Sequence, residues 1–297
     1  MHRLKLLLGP MRVPFLILTP ACVLLGLGSA VWTGGRVNWL HFAMALVGAV
    51  CAHISVNAFN EYFDHKSGLD ATTQRTPFSG GSGTLQARED MAIPALAMSW
   101  TTFAITGCIG LCFAFLRGPA ILPLGALGLL IVYAYTPLLT RSPFLCLIAP
   151  GLGFGPLMVM GVHFALTGVY SWTAFVASLV PFFLVSDLLL LNQFPDVEAD
   201  RRVGRRHYPI QIGRKASSLI YGAFLASAYL SIVAGVVLGL LPALCLIGLL
   251  GSALAVPTGV NAFRHADDIG RLVPSMGMNV LLNLATPVLV AVGLLAG

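Results

Sequence analysis

Charge is what this sequence lacks most. Of 297 residues only 9% are Asp, Glu, Lys or Arg while 57% are hydrophobic, and the mean hydropathy is +0.88. A soluble domain carries roughly 25% charged residues, so a water-facing globule is excluded. Short strands of alternating polarity are missing too, which excludes a membrane β-barrel. There is no Cys-x-x-Cys pair and no Cys/His cluster. The six cysteines (Cys22, Cys51, Cys108, Cys112, Cys146, Cys245) sit inside apolar runs and read as packing residues rather than a zinc or redox site. No small-residue cleavage site follows the first apolar run, so it reads as a span and not as a signal peptide.

Long apolar runs are what the sequence has instead. About 20 such residues cross a bilayer as a helix, and nine stretches qualify: 14–31, 39–60, 92–115, 119–137, 144–166, 173–194, 216–239, 241–262 and 274–296. The predicted fold is all-α: a polytopic membrane protein of about nine transmembrane helices. Of the 17 Lys and Arg residues, fifteen fall at the N-terminus or in the even-numbered loops; only Arg36 and Arg117 fall on the other side. This positive-inside bias puts the N-terminus in the cytoplasm and the C-terminus outside, in a multi-pass cell (inner) membrane protein. The basic charges lie in membrane loops, suiting anionic lipid and polyanionic substrates, not nucleic acid.

Ten of the eleven acidic residues share that cytoplasmic side, and the eleventh, Asp187, lies inside the sixth span. They cluster in two similar places. The second span ends in VNAFNEYFDHKSGLD, with Asn57, Asn60, Asp64 and Asp70; the sixth ends in LLNQFPDVEADRRVGRR, with Asn192, Asp196 and Asp200. Residues i and i+4 share a helix face, so Asn60 and Asp64 point together. Asn192, Asp196 and Asp200 would stack likewise unless Pro195 breaks the helix. The motifs stand 132 residues apart, from Asn60 to Asn192. That spacing suggests one domain over 1–297 with a pseudo-repeat, first motif 57–75 and second 192–206, both facing one central chamber. Mg²⁺ takes oxygen ligands from one or two carboxylates plus substrate phosphates, so facing Asp clusters could clamp a diphosphate. Basic neighbours strengthen that chemistry: Lys66 and Arg75 after the first motif, Arg201, Arg202, Arg205 and Arg206 after the second.

The sequence resembles the UbiA superfamily of intramembrane aromatic prenyltransferases, which carries such motifs after its second and sixth helices. Asn60, Asp64 and Asp70 match the first, and Asn192, Asp196 and Asp200 the second. The likeness extends to MRVPFLILTP, where Arg12 matches a common arginine, and to GLGFGPLMVMG in the fifth span. NEYFDHKSGLD and FGPL resemble the menaquinone-type branch, which prenylates dihydroxynaphthoate. Two segments depart from the pattern. Gly204–His207 replaces the usual Gly-Lys-x-Thr, and the branch's RGLGE segment is missing near Ser142–Leu152.

The resemblance implies a chamber open laterally to lipid and Mg²⁺-dependent ionisation of a polyprenyl diphosphate. Asp64, Asp70, Asp196 and Asp200 would carry the metal, with Asn60 and Asn192 alongside as catalytic groups. Arg12, Lys66, Arg75, Arg201, Arg205 and Arg206 would bind diphosphate. A small aromatic acceptor then attacks the allylic cation, with Asn57, Tyr133 and Tyr135 as candidate acceptor- or cation-stabilising groups. Tyr133 fits the family position better. The glycine-rich TPFSGGSGTL reads as a cover over the site or a plain linker. His41, His53 and His163, without ligand spacing, read as polar packing, and Asn279 and Asn283 as an interhelical pair. Three rival readings stay open: a 4-hydroxybenzoate or other aromatic prenyltransferase, a membrane terpene cyclase and, from another class, a secondary transporter, whose ionisable residues belong near the midplane.

Overall fold

The computed structural model describes residues 6–34, 36–69, 73 and 76–297, and all regular structure among them is helical. Nine apolar helices match the nine predicted spans: α1 Leu8–Trp32, α2 Trp39–Ser67, α3 Glu89–Arg117, α4 Ile121–Ala134, α5 Pro143–Thr167, α6 Trp172–Asn192, α7 Gly213–Val237, α8 Ala243–Arg264 and α9 Ile269–Ala296. Eight are long enough to cross a membrane. The fourth is the exception: its 14 residues rise only about 21 Å, against a hydrocarbon core of about 30 Å. Pro137 disfavours helical backbone at Thr136, and the helix ends just before it, at Ala134, instead of running on to 137 as predicted.

Two other helices are interrupted where the sequence places proline. In α1, a short helix Leu8–Met11 gives way at Arg12 to left-handed backbone (φ 52, ψ 51) and a 3-10 turn Val13–Phe15 before Leu18–Trp32 resumes. In α5 a π-turn, Gly153–Leu157, surrounds Pro156, whose missing N–H breaks the ordinary ladder. Beside it the backbones of α5 and α6 touch. A Cβ on Gly151 would stand 2.1 Å from the Phe182 carbonyl oxygen, and one on Gly155 2.5 Å from that of Ser178. Small residues one turn apart therefore set the α5–α6 approach.

The buried helix is α6, which packs on α1, α5, α7 and α9, whereas α3 leans mainly on α2 and shows its other faces outward. At one end, Arg117 on α3 donates to the carbonyls of Ala165 and Leu166 on α5 at 3.0 and 2.7 Å and meets His41 on α2. The alternating chain direction thus leaves both acidic motifs at the opposite end.

Candidate active site

One face of α2 carries Ala52, His53, Val56, Asn57, Asn60 and Asp64 at spacings of three and four residues, and all six line a cavity of about 270 Å³. Across it stand Val185, Leu188, Leu189 and Asn192 of α6, followed by Gln193, Asp196 and Asp200. The two motifs therefore face one chamber. It is polar at the motif end and apolar deeper, where Ile17, Leu18, Phe154 and Met158 form its wall.

The second motif does not stack as one helix. The α6 helix stops at Asn192, and after a turn containing Pro195 the chain restarts as the short helix Val197–Arg202. Asp196 holds that helix's N-cap position, yet its side chain makes no capping bond. One of its oxygens, like the Asn192 side-chain oxygen, is buried without a partner, and both residues line the chamber. An Asp that forgoes its cap keeps that oxygen available for a ligand, while the Ser79 side chain meets the carboxyl. Burial first, then the nearby Asp200, push its carboxyl up to about 7, against the pull of Arg205.

Arg205 joins the motifs. Its guanidinium donates to Asp64 of the first and, at 2.8 Å, to Asp200 of the second. Burial works against its charge, but the two carboxylates outweigh this and hold it firmly protonated. His207 braces the other Asp200 oxygen at 2.9 Å. Gly204–His207, the segment that departs from the family spelling, thus supplies both a bridging cation and a brace.

At the mouth, Arg12 donates to Glu61 at 2.9 Å and to Asn60 at 2.8 Å. Asn60 in turn donates to Thr136 at 3.1 Å, and Asn57 to the Met11 carbonyl at 3.0 Å. The positive φ of Arg12, a conformation costing about 1–3 kcal/mol, turns the chain so that these contacts form. Glu61 also accepts from the backbone N–H and hydroxyl of Ser82, at 2.7 and 2.9 Å. This anchors the glycine-rich loop while Phe78, Ser79, Gly80 and Gly81 line the chamber. The cover reading of TPFSGGSGTL agrees with that placement.

Several expected residues stand elsewhere. Tyr133 does not line the chamber: it is 40% exposed in an aromatic group with Phe59, Phe63 and Trp100. Tyr135, two residues on, turns inward. Lys66 lines a separate recess with Arg141, on the far side of Asp64 and Arg205. Arg201 is exposed and paired with Glu198 at 3.0 Å; Arg206 is exposed, its backbone N–H bonded to Thr140. Asp70 and Arg75 lie outside the described residues. The chamber wall also includes residues that the sequence pattern does not single out as site residues, among them Gln193, His207, Asn283 and His53. His53 was legible, because it stands four and seven residues before Asn57 and Asn60 on the same helical face.

The oxygens of Asp64, Asp196, Asp200 and Asn192 make a donor set for a hard divalent cation. Among the described residues no three acidic, His or Cys groups yet converge on one point, since Arg205 stands between Asp64 and Asp200. Mg²⁺ needs only one or two carboxylates when waters and phosphates complete its shell, and the unpartnered oxygens fit that need.

An acid-lined, arginine-bridged mouth on an apolar chamber sets polar chemistry at the edge of a hydrocarbon-lined interior, the arrangement of an intramembrane enzyme. The chain belongs to the UbiA prenyltransferase family, matching it over residues 19–279. It is 30% identical to a 1,4-dihydroxy-2-naphthoate octaprenyltransferase of Bacillus subtilis (strain 168), over 69% of this chain and 65% of that protein, so slightly under two thirds of that relative is spanned. It is 27% identical to the protein of the same name from Mycobacterium tuberculosis (strain ATCC 25618 / H37Rv), over 80% of this chain and 78% of the other. Its fold matches a UbiA homolog from Archaeoglobus fulgidus solved with GPP and Mg²⁺, with a TM-score of 0.64 at 14% identity, over 98% of this chain and all of that one.

Proposed function

We propose that this chain transfers a polyprenyl group from its diphosphate to 1,4-dihydroxy-2-naphthoate in menaquinone biosynthesis, using Mg²⁺, as one transmembrane domain over 1–297 with its N-terminus and active site cytoplasmic. The carrying observation is the meeting of the two Asn/Asp motifs around Arg205 at the polar mouth of an otherwise apolar chamber. The naphthoate names of the two relatives support the acceptor. The GPP and Mg²⁺ bound by the Archaeoglobus homolog support the donor and the metal. The motif carboxylates sit at the ends of α2 and α6, and the one carboxyl deeper within a span, Asp187, does not line the chamber, which weighs against a transporter.

Asp64, Asp196 and Asp200, with Asn192, would hold Mg²⁺, and so would Asp70 of the first motif. An ion held there would supply positive charge to offset the charge that builds on the departing diphosphate. Arg205 and Arg12 add fixed positive charge where that group leaves, at no cost of reorganisation. Deeper in, the apolar wall excludes water that would otherwise capture the allylic cation. Tyr135, on the chamber side, offers a ring face to that cation. The aromatic acceptor attacks from within the same chamber, and its leaving group is a proton or, for the naphthoate, CO₂.

The test is a transfer assay in lipid with a labelled polyprenyl diphosphate and Mg²⁺, offering dihydroxynaphthoate and 4-hydroxybenzoate separately. A lipid-soluble naphthoate adduct that vanishes with EDTA agrees with the reading. An adduct with 4-hydroxybenzoate alone overturns the acceptor, and no release of diphosphate overturns the enzyme.

A further inference from the structure

His53 is a polar group in the apolar part of the chamber. It lies on α2 eleven residues before Asp64, roughly 16 Å deeper along the helix axis. Its ring is buried and meets Phe154 edge-on at 4.7 Å between centroids. Around it on the wall are Ala52, Val56, Leu18 and Met158. Its Nδ1 lies 2.8 Å from the Thr19 hydroxyl on α1, while Nε2 is left open to the chamber that the ring lines.

A second pair in the same bundle gives the proton count. Ser29 on α1 lies 2.9 Å from Nδ1 of His163 on α5, but its hydroxyl also donates to the Gly26 carbonyl at 2.8 Å. One hydroxyl has one proton, so His163 must donate from Nδ1. Its Nε2 is then the bare nitrogen, sealed in the bundle without a partner. Thr19 is fully buried, and its hydroxyl finds His53 as its hydrogen-bond partner. Leaving a buried O–H unpaired is costly, so Thr19 donates to Nδ1 and the ring proton of His53 rests on Nε2. Two pairs of like composition thus have opposite polarity. His53 aims an N–H into the chamber, and His163 does not.

A polyprenyl tail offers this N–H nothing to bind, and covering it with hydrocarbon would strand it. A para-dihydroxy aromatic carries oxygens on opposite edges of its ring. One can face His53 while the other stays toward Asn57 and the motif end. We propose that the His53 Nε2–H, positioned by Thr19, hydrogen-bonds the distal oxygen of the aromatic acceptor and so selects acceptors oxygenated at both edges. This rests on the acceptor class of the proposed function and adds the residue that recognises it.

The experiment uses the full chain in lipid nanodiscs and two probes, 1,4-dihydroxy-2-naphthoate and its 4-deoxy counterpart, 1-hydroxy-2-naphthoate. Binding of each is titrated without prenyl diphosphate, and turnover is measured separately. The wild-type chain should bind the dihydroxy compound roughly tenfold more tightly, the factor of one net hydrogen bond. His53→Leu should erase that preference and raise KM for the acceptor while KM for the prenyl diphosphate stays within about twofold. His53→Gln, which keeps an N–H donor, should recover part of it. Thr19→Val should weaken the preference, and His163→Leu should leave it intact. Equal binding of both compounds by wild type, or a preference that survives His53→Leu, would overturn the contact. Equal rises in both KM values would also overturn it, marking His53 as structural. Turnover is a separate readout: binding discrimination lost in His53→Leu supports the contact whether or not the naphthoate is prenylated, and only the latter bears on the proposed reaction.

Discussion

The two Asn/Asp motifs are spelled alike and built differently. In the first, each side chain among the described residues is held by protein. Asn57 is tied to Met11, Asn60 to Arg12 and Thr136, and Asp64 to Arg205, all from one unbroken helix. In the second, the helix stops at Asn192 and one oxygen each of Asn192 and Asp196 is buried without a partner; Asp200 is gripped by Arg205 and His207, while Asp196 is met by the Ser79 side chain. One motif is a finished scaffold and the other keeps open valence. The difference suggests that a ligand ion would be seated chiefly from the second motif, with the first presenting a rigid counter-face.

Alanine substitutions separate the two most sharply. Asp64→Ala and Asp196→Ala should both cut transfer by roughly 10³-fold, the scale on which removing one preorganised electrostatic group acts. Their effects on stability should differ. Asp64→Ala strips half the partners from a mostly buried guanidinium (16% exposed) and should cost about 1–3 kcal/mol. Asp196→Ala removes a carboxyl that lacks a partner on one oxygen and should leave the metal-free melting temperature unchanged or higher. Equal destabilisation by both, in thermal melts without Mg²⁺, would erase the contrast.

The bridge can be broken next. Arg205→Met should lower transfer by roughly 10²-fold and leave Asp64 and Asp200 facing each other without a cation. Mg²⁺ would then take the place of the guanidinium, so the ion should raise the melting temperature of Arg205→Met more than that of wild type. A smaller shift in the variant would mean that Arg205 helps to seat the ion rather than standing in for it.

Much of this was legible in the sequence, for reasons that particular residues make plain. Apolar length predicts nine helices and helical spacing predicts the α2 face, because both are local properties. The stacking of Asn192, Asp196 and Asp200 was not legible, since whether Pro195 breaks or only bends the chain depends on what packs around it. Tyr133 and Tyr135 could not be ranked by spacing, because the helix ends between them and the turn decides which faces inward. Arg205 stands among basic neighbours in the sequence; its bridging role needs residues from two distant spans. The polarity of His53 depends on what else Thr19 can donate to, which no pattern in one helix reveals.

A smaller effect sharpens the contrast through pH. The folded chain holds the Asp196 proton up to about 7, whereas an unfolded carboxyl releases it near 4. Between those values the native state binds the extra proton, so this group weakens folding as pH rises through the window. Mg²⁺ competes with that proton, so its affinity should rise up to about tenfold per unit as pH climbs toward 7 and level off above. Asp196→Asn should flatten both slopes in melts and Mg²⁺ titrations across pH 5–8. A slope that persists in the variant would assign the proton to another group.

The smallest effect belongs to the cations that follow the motifs in sequence but not in space. Lys66 and Arg201 read as diphosphate ligands from their positions, yet Lys66 opens onto the recess behind Asp64, and Arg201 is exposed and paired with Glu198. Exposed pairs contribute roughly 0–1 kcal/mol, and neither cation lines the chamber. Lys66→Gln and Arg201→Gln should therefore each leave transfer, and KM for the prenyl diphosphate, within about twofold of wild type at physiological salt. Arg12→Gln is the comparison that gives those values meaning. Arg12 stands far from both motifs in sequence, 48 positions from Asn60, yet it touches the chamber and Asn60 directly. It should raise KM for the diphosphate by tenfold or more, the range of a charge-assisted hydrogen bond. If Lys66→Gln instead matched Arg12→Gln, the diphosphate would have to reach behind Asp64, and the second recess would be part of the site.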